Sequence, residues 1–387
     1  MKSSFHSKII ALVLILFVQI SVFSQQLYFP SHTNWIKSSA KKQGLNQVQL
    51  NKAIDFAKAN EYKGERDLHI AIAKAYVREP YFKIVGPTKE RGGPAGIILR
   101  NGYMVAEWGD VNRIDMTFSV TKSYLATIAG LAVDEGLIKD THDKMNTYIN
   151  DTTFSSEHNS KITWHHLLTQ SSDWSGNLFG MSDWADRPPK EGIIEDWKNR
   201  TLVEPGTVFE YNDVRVNLLS YSLLKVWQKP LPVILKEKIM DPIGASSTWN
   251  WYGYETSKVK INGTEIESVS GGGHSGGGLF INTVDHARFG LLFARNGNWN
   301  GQQLISTKWI EQMTQSSEAN ASYGYLWWLN RGSEKWDGVS EDIFYANGFG
   351  GNFIVIDRAH DLVIVTRWLD PDKIGEMVRE ILNAIEK

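Results

Sequence analysis

"DMTFSVTKSYLATIAGLAVDEG", residues 115–136, holds the segment that decides the fold. Between Lys122 and Asp134 lie eleven uncharged residues, rich in Ala, Leu, Ile and Val, with no polar stripe for solvent. A helix that is apolar on every side is buried in the core of a protein. Its only cation, Lys122, stands at the start, three residues after Ser119. Residues three apart share a helical face, so the hydroxyl and the amine meet within hydrogen-bond reach. A lysine in water, with a pKa of about 10.4, is protonated at neutral pH and makes a poor base. Burial disfavours the ammonium, so the expectation is a lowered pKa and an amine able to take the proton of the adjacent serine. Ser119 also lies near the helix N-terminus, where the backbone dipole favours negative charge on oxygen. Ser-x-x-Lys by itself recurs by chance in long chains; the apolar setting of Lys122 sets this one apart.

About ninety residues on, "EPGTVFEYNDVRVNLLSYSLLKVW" (204–227) carries a Gly-containing turn into Tyr211-Asn212-Asp213, followed by a second apolar helix. A phenol near a lysine can be held partly ionised and can move protons to and from a leaving group. The bland reading is a buried tyrosine beside a capping aspartate.

Further out, "LNQVQLNKAIDFAKANE" (45–61) has helical spacing, and "AGIILRNGYMVAEWGD" (95–110) reads as two strands around Asn101-Gly102, a pair suited to a tight primed turn. Residues 137–260 read as helix and loop. Strand character returns at 322–330 and in the hairpin "NFIVIDRAHDLVIVTRW" (352–368), and residues 370–387 form a closing helix. The order predicts an α+β member of the α/β class: an antiparallel sheet flanked by N- and C-terminal helices, with a mostly helical insertion and a cleft at the boundary.

The 387 residues are 42% hydrophobic and 22% charged, ordinary for a globular protein. At the start, Lys2 and Lys8 flank "IIALVLILFV" (9–18), an apolar run shorter than the roughly 20 residues of a membrane span. It reads as a signal peptide, residues 1–24, with export to the periplasm or the exterior and no stable membrane anchor. Residues 25–90 then form an N-terminal helical extension and 91–387 the main domain. Removing 1–24 takes the net charge from −2 to −4, which gives no grip on nucleic acid. With no cysteine there is neither a disulfide nor thiolate chemistry. No His-Glu-x-x-His or similar cluster occurs, so no metal and no cofactor is expected.

"SVTK" opening a buried helix, "YND" downstream and a Gly-containing strand near the C-terminus resemble the serine β-lactamase and penicillin-recognising family, above all class C enzymes and the related esterases and aminohexanoate-oligomer hydrolases. The resemblance covers roughly residues 90–387 and implies the same fold. Carried over, Ser119 is the acylated nucleophile, Lys122 its base and Tyr211 the proton shuttle, while Asp213 stands where the family often has Asn. "SSDW" (171–174) is a poorer match to the Ser-Asp-Asn motif, because Trp174 has no amide to offer. For the third motif the best match is Ala346-Asn347-Gly348, with the Phe349 N–H joining that of Ser119 in an oxyanion hole. The cation of that motif is missing, which points away from β-lactams and toward a neutral ester or amide, with carbohydrate- and peptide-derived substrates among the candidates. The 15 tryptophans are a weak pointer to stacking on sugar or aryl groups.

The reading is therefore an exported serine hydrolase. Its alternatives are a β-lactamase or D-amino peptidase, or a binding or sensory protein that kept the fold and lost turnover. "GGHSGG" (272–277) matches Gly-x-Ser-x-Gly formally, but no helix pattern follows at once, so a packed turn bordering the cleft is expected there.

Overall fold

The structure is a computed structural model that describes residues 27–386; the expected signal peptide lies outside the described residues. Its centre is a six-stranded antiparallel sheet in the order Trp328–Leu329, Phe344–Gly348, Asn352–Asp357, Leu362–Arg367, Ala95–Arg100, Tyr103–Trp108. The two hairpins read from sequence meet in its middle, where Ala95 pairs with Arg367 and Arg100 with Leu362. Asn101 and Gly102 have φ of 54° and 81°, the left-handed pair that a primed turn demands.

Alternation along the strands decides what covers each face. Ile98, Val355 and Ile364 point to one side, where they pack with Leu50 and Ala53 of the helix Gln47–Ala59 and with Met377, Val378 and Ile381 of the helix Ile374–Leu382. Ile97, Leu99, Ile354, Ile356, Val363 and Val365 point to the other, against the helix Thr283–Ala294 and the buried helix Thr121–Asp134. That helix is buried nearly all round, from Thr121 to Ala132. It packs on the helix Asp213–Trp227, as two helices without wet faces must.

One expectation is corrected. The helical stretch does not reach residue 260, because Asn250–Ile261 is a 12-residue strand paired with Thr264–Val269. With Gly278–Ile281 and Asp115–Met116 it makes a second, four-stranded sheet. The signal was present: Asn262-Gly263, with φ of 49° and 85°, repeats the turn chemistry of Asn101-Gly102.

The segment ahead of the main domain is tied into it. Val85 and Gly86 donate backbone hydrogen bonds to Ser275 O, and Gly277 donates to Pro87 O. A Cβ on Gly86 would lie 2.6 Å from Gly277 N, so the two chains touch backbone to backbone. Among the described residues no helix is long and apolar enough to cross a membrane.

Candidate active site

Ser119 sits in a single 3-10 turn, Phe118–Val120, that runs into the helix beginning at Thr121. The residue before it, Phe118, has φ of 50°, a left-handed conformation that costs energy in a bulky residue and persists where surroundings enforce it. Those surroundings are visible. Thr117 N donates to Leu279 O at 2.9 Å and Leu279 N to Thr121 Oγ1 at 3.1 Å. Arg367 donates to Met116 O and Ile281 O, which clamps the strand entering the turn. His286 bridges Thr117 Oγ1 at 2.8 Å and Tyr124 Oη at 2.9 Å, and burial holds its pKa well below the ordinary histidine range.

Lys122 is 1% exposed. Its Nζ donates to Ser119 Oγ at 2.9 Å and to Asp213 Oδ1 at 2.6 Å. Here the structure departs from the expectation of a neutral lysine. Burial is the largest influence and opposes the ammonium, but the adjacent charge of Asp213 and its hydrogen bond outweigh it, with help from Tyr211, and the pKa is raised. The missing information was the counter-ion, which comes from a different helix.

Asp213 is placed away from the substrate-binding role expected for it. Its carboxylate is buried, with Oδ1 on Lys122 and Oδ2 2.6 Å from Arg187 Nη2 and 3.5 Å from His274 Nδ1. Burial by itself would raise its pKa; the charges of Lys122 and Arg187 hold it well below the carboxylate range. No side chain separates this pair from the Gly-rich turn, since a Cβ on Gly272 would lie 1.9 Å from Asp213 Oδ1 and 2.3 Å from Lys122 Nζ.

Tyr211 is half-buried and presents its ring face to both cations, 4.6 Å from Lys122 Nζ and 5.2 Å from the Arg187 guanidinium. The ring also stacks on Trp328, with centroids 5.9 Å apart. Asn212, between Tyr211 and Asp213, turns inward and caps the helix by accepting from Arg215 N.

Asn347, Gly348 and Phe349 end a strand that presses on the Ser119 turn. A Cβ on Gly348 would meet Thr117 O at 2.2 Å and Val120 N at 3.2 Å, so only glycine allows this approach. Among the described residues neither Ser119 N–H nor Phe349 N–H donates a backbone hydrogen bond outside its own helix or strand. Asn352 Nδ2 donates to Phe349 O at 2.7 Å and fixes that peptide.

Four site residues escaped the sequence reading: Glu79, Asp186, Arg187 and His274. Arg187 bridges Asp213 and Asp186, whose Oδ1 is 2.5 Å away. Asp186 Oδ2 in turn accepts from the backbone N–H groups of Asp213 and Val214 at the helix N-terminus. His274 Nε2 lies 2.6 Å from Glu79 Oε2, and Glu79 Oε1 accepts from Arg187 N at 3.0 Å. Glu79, Asp186 and His274 bring ligand-type atoms within 4.8 Å of one another. These atoms are already engaged in ion pairs with Arg187 and with each other, so the trio is a charge network and not a free cation cage. No local motif announces these residues, although the buried "GGGHS" turn was a place to look.

The competing sites have structural explanations. Ser275 is 2% exposed, its Oγ donates to Met181 Sδ at 3.7 Å, and a strand follows it instead of a helix. Asp173 of "SSDW" is buried against Arg215 and Arg200, and Trp174 donates to Thr153 O. Trp249, Trp251 and Trp327 are core residues; Trp328 meets the site through Tyr211, and Trp368 packs edge-on against Phe118. A cavity of about 280 Å³ lies beyond the charge network, walled by Glu79, Asp186 and His274 with Tyr81, Phe82 and Phe179, and Ser119 does not line it.

An antiparallel sheet with helices on both faces and a Ser-x-x-Lys helix beside a Gly-bearing strand defines the β-lactamase and transpeptidase fold class. The chain belongs to the Beta-lactamase family, whose model matches residues 108–369. Among curated proteins it is 26% identical over 195 residues to proteins of Escherichia coli O157:H7 and K12 provisionally named D-alanyl-D-alanine carboxypeptidases, a match covering 42% of this chain and 45% of theirs. The chain thus spans under half the length of those relatives. Among solved structures it is similar to a family VIII carboxylesterase, at 17% identity and a TM-score of 0.56 over 88% of this chain and 99% of that one. It is also similar to a β-lactamase/D-alanine carboxypeptidase from Pseudomonas syringae, at 14% identity and a TM-score of 0.54 over 83% and 99%. These likenesses concern the fold.

Proposed function

We propose that the protein is a hydrolase that cleaves an ester or amide through an acyl-enzyme on Ser119. The observation that carries this reading is the 2.9 Å hydrogen bond from Lys122 Nζ to Ser119 Oγ inside a turn against which Gly348 is packed. Ser119 Oγ attacks the carbonyl carbon, and the N–H groups of Ser119 and Phe349 receive the oxygen's developing charge. Lys122 rests as an ammonium, so it takes the serine proton only from the fraction that has first lost one, and acylation speeds up as pH rises. Tyr211, whose ring lies over Lys122, passes a proton to the leaving group. Water then releases the acyl group. The Ala346-Asn347-Gly348 strand end carries no cation, and Arg187 is neutralised by two carboxylates. Both features favour a neutral ester or small amide over a carboxylate-bearing β-lactam. We also propose export, with cleavage near Ser24, which intact mass of the protein secreted from its host tests.

The deciding experiment is intact mass after exposure to a fluorophosphonate, with Ser119→Ala alongside. One adduct, lost in the variant, is expected. Turnover retained by folded Ser119→Ala would reject the mechanism, and a folded wild type that takes no adduct and turns over no ester or amide would favour a binding protein.

A further inference from the structure

We infer that Asp213 is the positioning residue that sets the protonation of Lys122, and that Glu79, from the segment ahead of the family-matching region, holds it there through His274. The inference rests on acyl transfer at Ser119 being the protein's chemistry.

The charges around Ser119 stand in a fixed order. Starting from Ser119 Oγ, the contacts run to Lys122 at 2.9 Å and on to Asp213 at 2.6 Å. From Asp213 they divide to Arg187 at 2.6 Å and His274 at 3.5 Å, and end on Asp186 and Glu79. Signs alternate at every step. Three cations face three carboxylates if His274 is an imidazolium. Burial and the charge of Arg187 oppose that form, but the charge of Asp186 and the contacts with Asp213 and Glu79 prevail, and its pKa is pushed up to about 9. Burial raises two phenols beside the network, Tyr76, whose ring is tilted against His274 at 3.8 Å, and Tyr254, which lies near Asp213. Tyr211 covers Lys122 and Arg187 with its ring face.

Asparagine, which the resemblance leads one to expect at residue 213, would accept the same hydrogen bond without the charge. With aspartate, the group that hydrogen-bonds the nucleophile is tied to a buried anion, and the pH at which it yields a proton rises. Glu79 matters because a buried aspartate facing one lysine alone would be a costly ion pair; Arg187 and the Glu79-His274 pair complete its coordination. Residue 79 lies 29 positions before the family match begins at 108, so part of the site is supplied from outside that region.

The signs give a test that loss of structure cannot imitate. Removing a negative charge beside Lys122 lowers the pH at which it deprotonates, and removing a positive one raises it. Lys122 is followed by ¹³C NMR of lysine-labelled protein, its signal assigned with Lys122→Arg, alongside the pH dependence of fluorophosphonate labelling. In Asp213→Asn both midpoints are expected to fall by about one pH unit or more, the effect of losing an opposite charge within about 6 Å. In Arg187→Gln, which removes the cation whose charge lowers Lys122, both are expected to rise. In Glu79→Gln the titration of His274, read by imidazole NMR, is expected to move down from about 9. Unchanged Lys122 midpoints, or movement in the same direction in the first two variants, would overturn the role of Asp213. An unmoved His274 would overturn that of Glu79. If Asp213→Asn does not fold, Arg187→Gln decides the sign. Failure of Ser119 to label at any pH would sink the proposed function and leave the NMR titrations to decide this inference separately.

Discussion

Gly272→Ala tests the geometry of the site with a single methyl group. Gly272 has no left-handed φ, so alanine is conformationally permitted and any effect comes from contact. The new Cβ would stand 1.9 Å from Asp213 Oδ1 and 2.3 Å from Lys122 Nζ. Reaching even a tight separation of about 3 Å requires Asp213 to retreat by about 1 Å, well inside the 3.5–4.0 Å at which carbon contacts are comfortable. That retreat is blocked, because the other carboxylate oxygen rests on Arg187 and the backbone N–H of Asp213 on Asp186. Overpacking of this kind costs about 1–3 kcal/mol, rising toward the 3–5 kcal/mol of a broken buried pair if the contact between Lys122 and Asp213 parts. A displacement of about 1 Å at the group that touches the nucleophile is expected to slow Ser119 labelling about a hundredfold. Denaturant unfolding reads the first effect and timed intact-mass labelling the second. Gly93→Ala is the control: it too lacks a left-handed φ, its nearest neighbour is Arg66 Nη1 at 4.0 Å, and it is expected to be neutral or slightly stabilising. Unchanged stability and labelling in Gly272→Ala would refute the close approach of the Gly-rich turn to the Lys122-Asp213 pair.

Tyr211→Phe keeps the ring against Lys122, Arg187 and Trp328, so folding is expected to be intact while ester turnover falls about a hundredfold, the low end for losing a proton-transfer group; full turnover would remove Tyr211 from the mechanism. Arg215→Met leaves the buried Asp173 and Asp183 with Arg200 as the cation between them. A loss of about 3 kcal/mol in denaturant unfolding is expected, the low end for breaking a buried pair because Arg200 remains. The folded-state pKa of His274, about 9, lies above the roughly 6.5 of an unfolded histidine. Its stabilisation is therefore complete below about pH 6.5 and is lost as pH rises through about 9. Wild-type melting temperature is expected to decline across that window more steeply than that of His274→Gln; parallel curves would show that His274 is not the group responsible.

The N-terminal segment changes how the molecule divides. Read along the chain, residues 27–90 precede the family-matching region and look like an addition. In the fold, Tyr76 and Phe82 enclose the His274 ring, Glu79 pairs with it, and Val85 and Gly86 hydrogen-bond to the next residue of the same turn. Deleting them would remove one wall of the charge network.

What the chain determined by itself was whatever depends on neighbours close in sequence. The all-apolar run after Lys122 makes a buried helix, Asn101-Gly102 makes a primed turn, alternation makes strands, and a three-residue spacing brings Ser119 and Lys122 together on one helical turn. The hairpin at 250–269 was legible by the same turn chemistry and went unread because its strand follows a long helical stretch. The protonation of Lys122 was beyond any local reading. It depends on Asp213, 91 positions away, and on the companions of Asp213 at 79, 186, 187 and 274, which come from three separate segments. Burial of a lysine can be inferred from its apolar neighbours, but whether burial neutralises it is decided by the charge that folding sets 2.6 Å away.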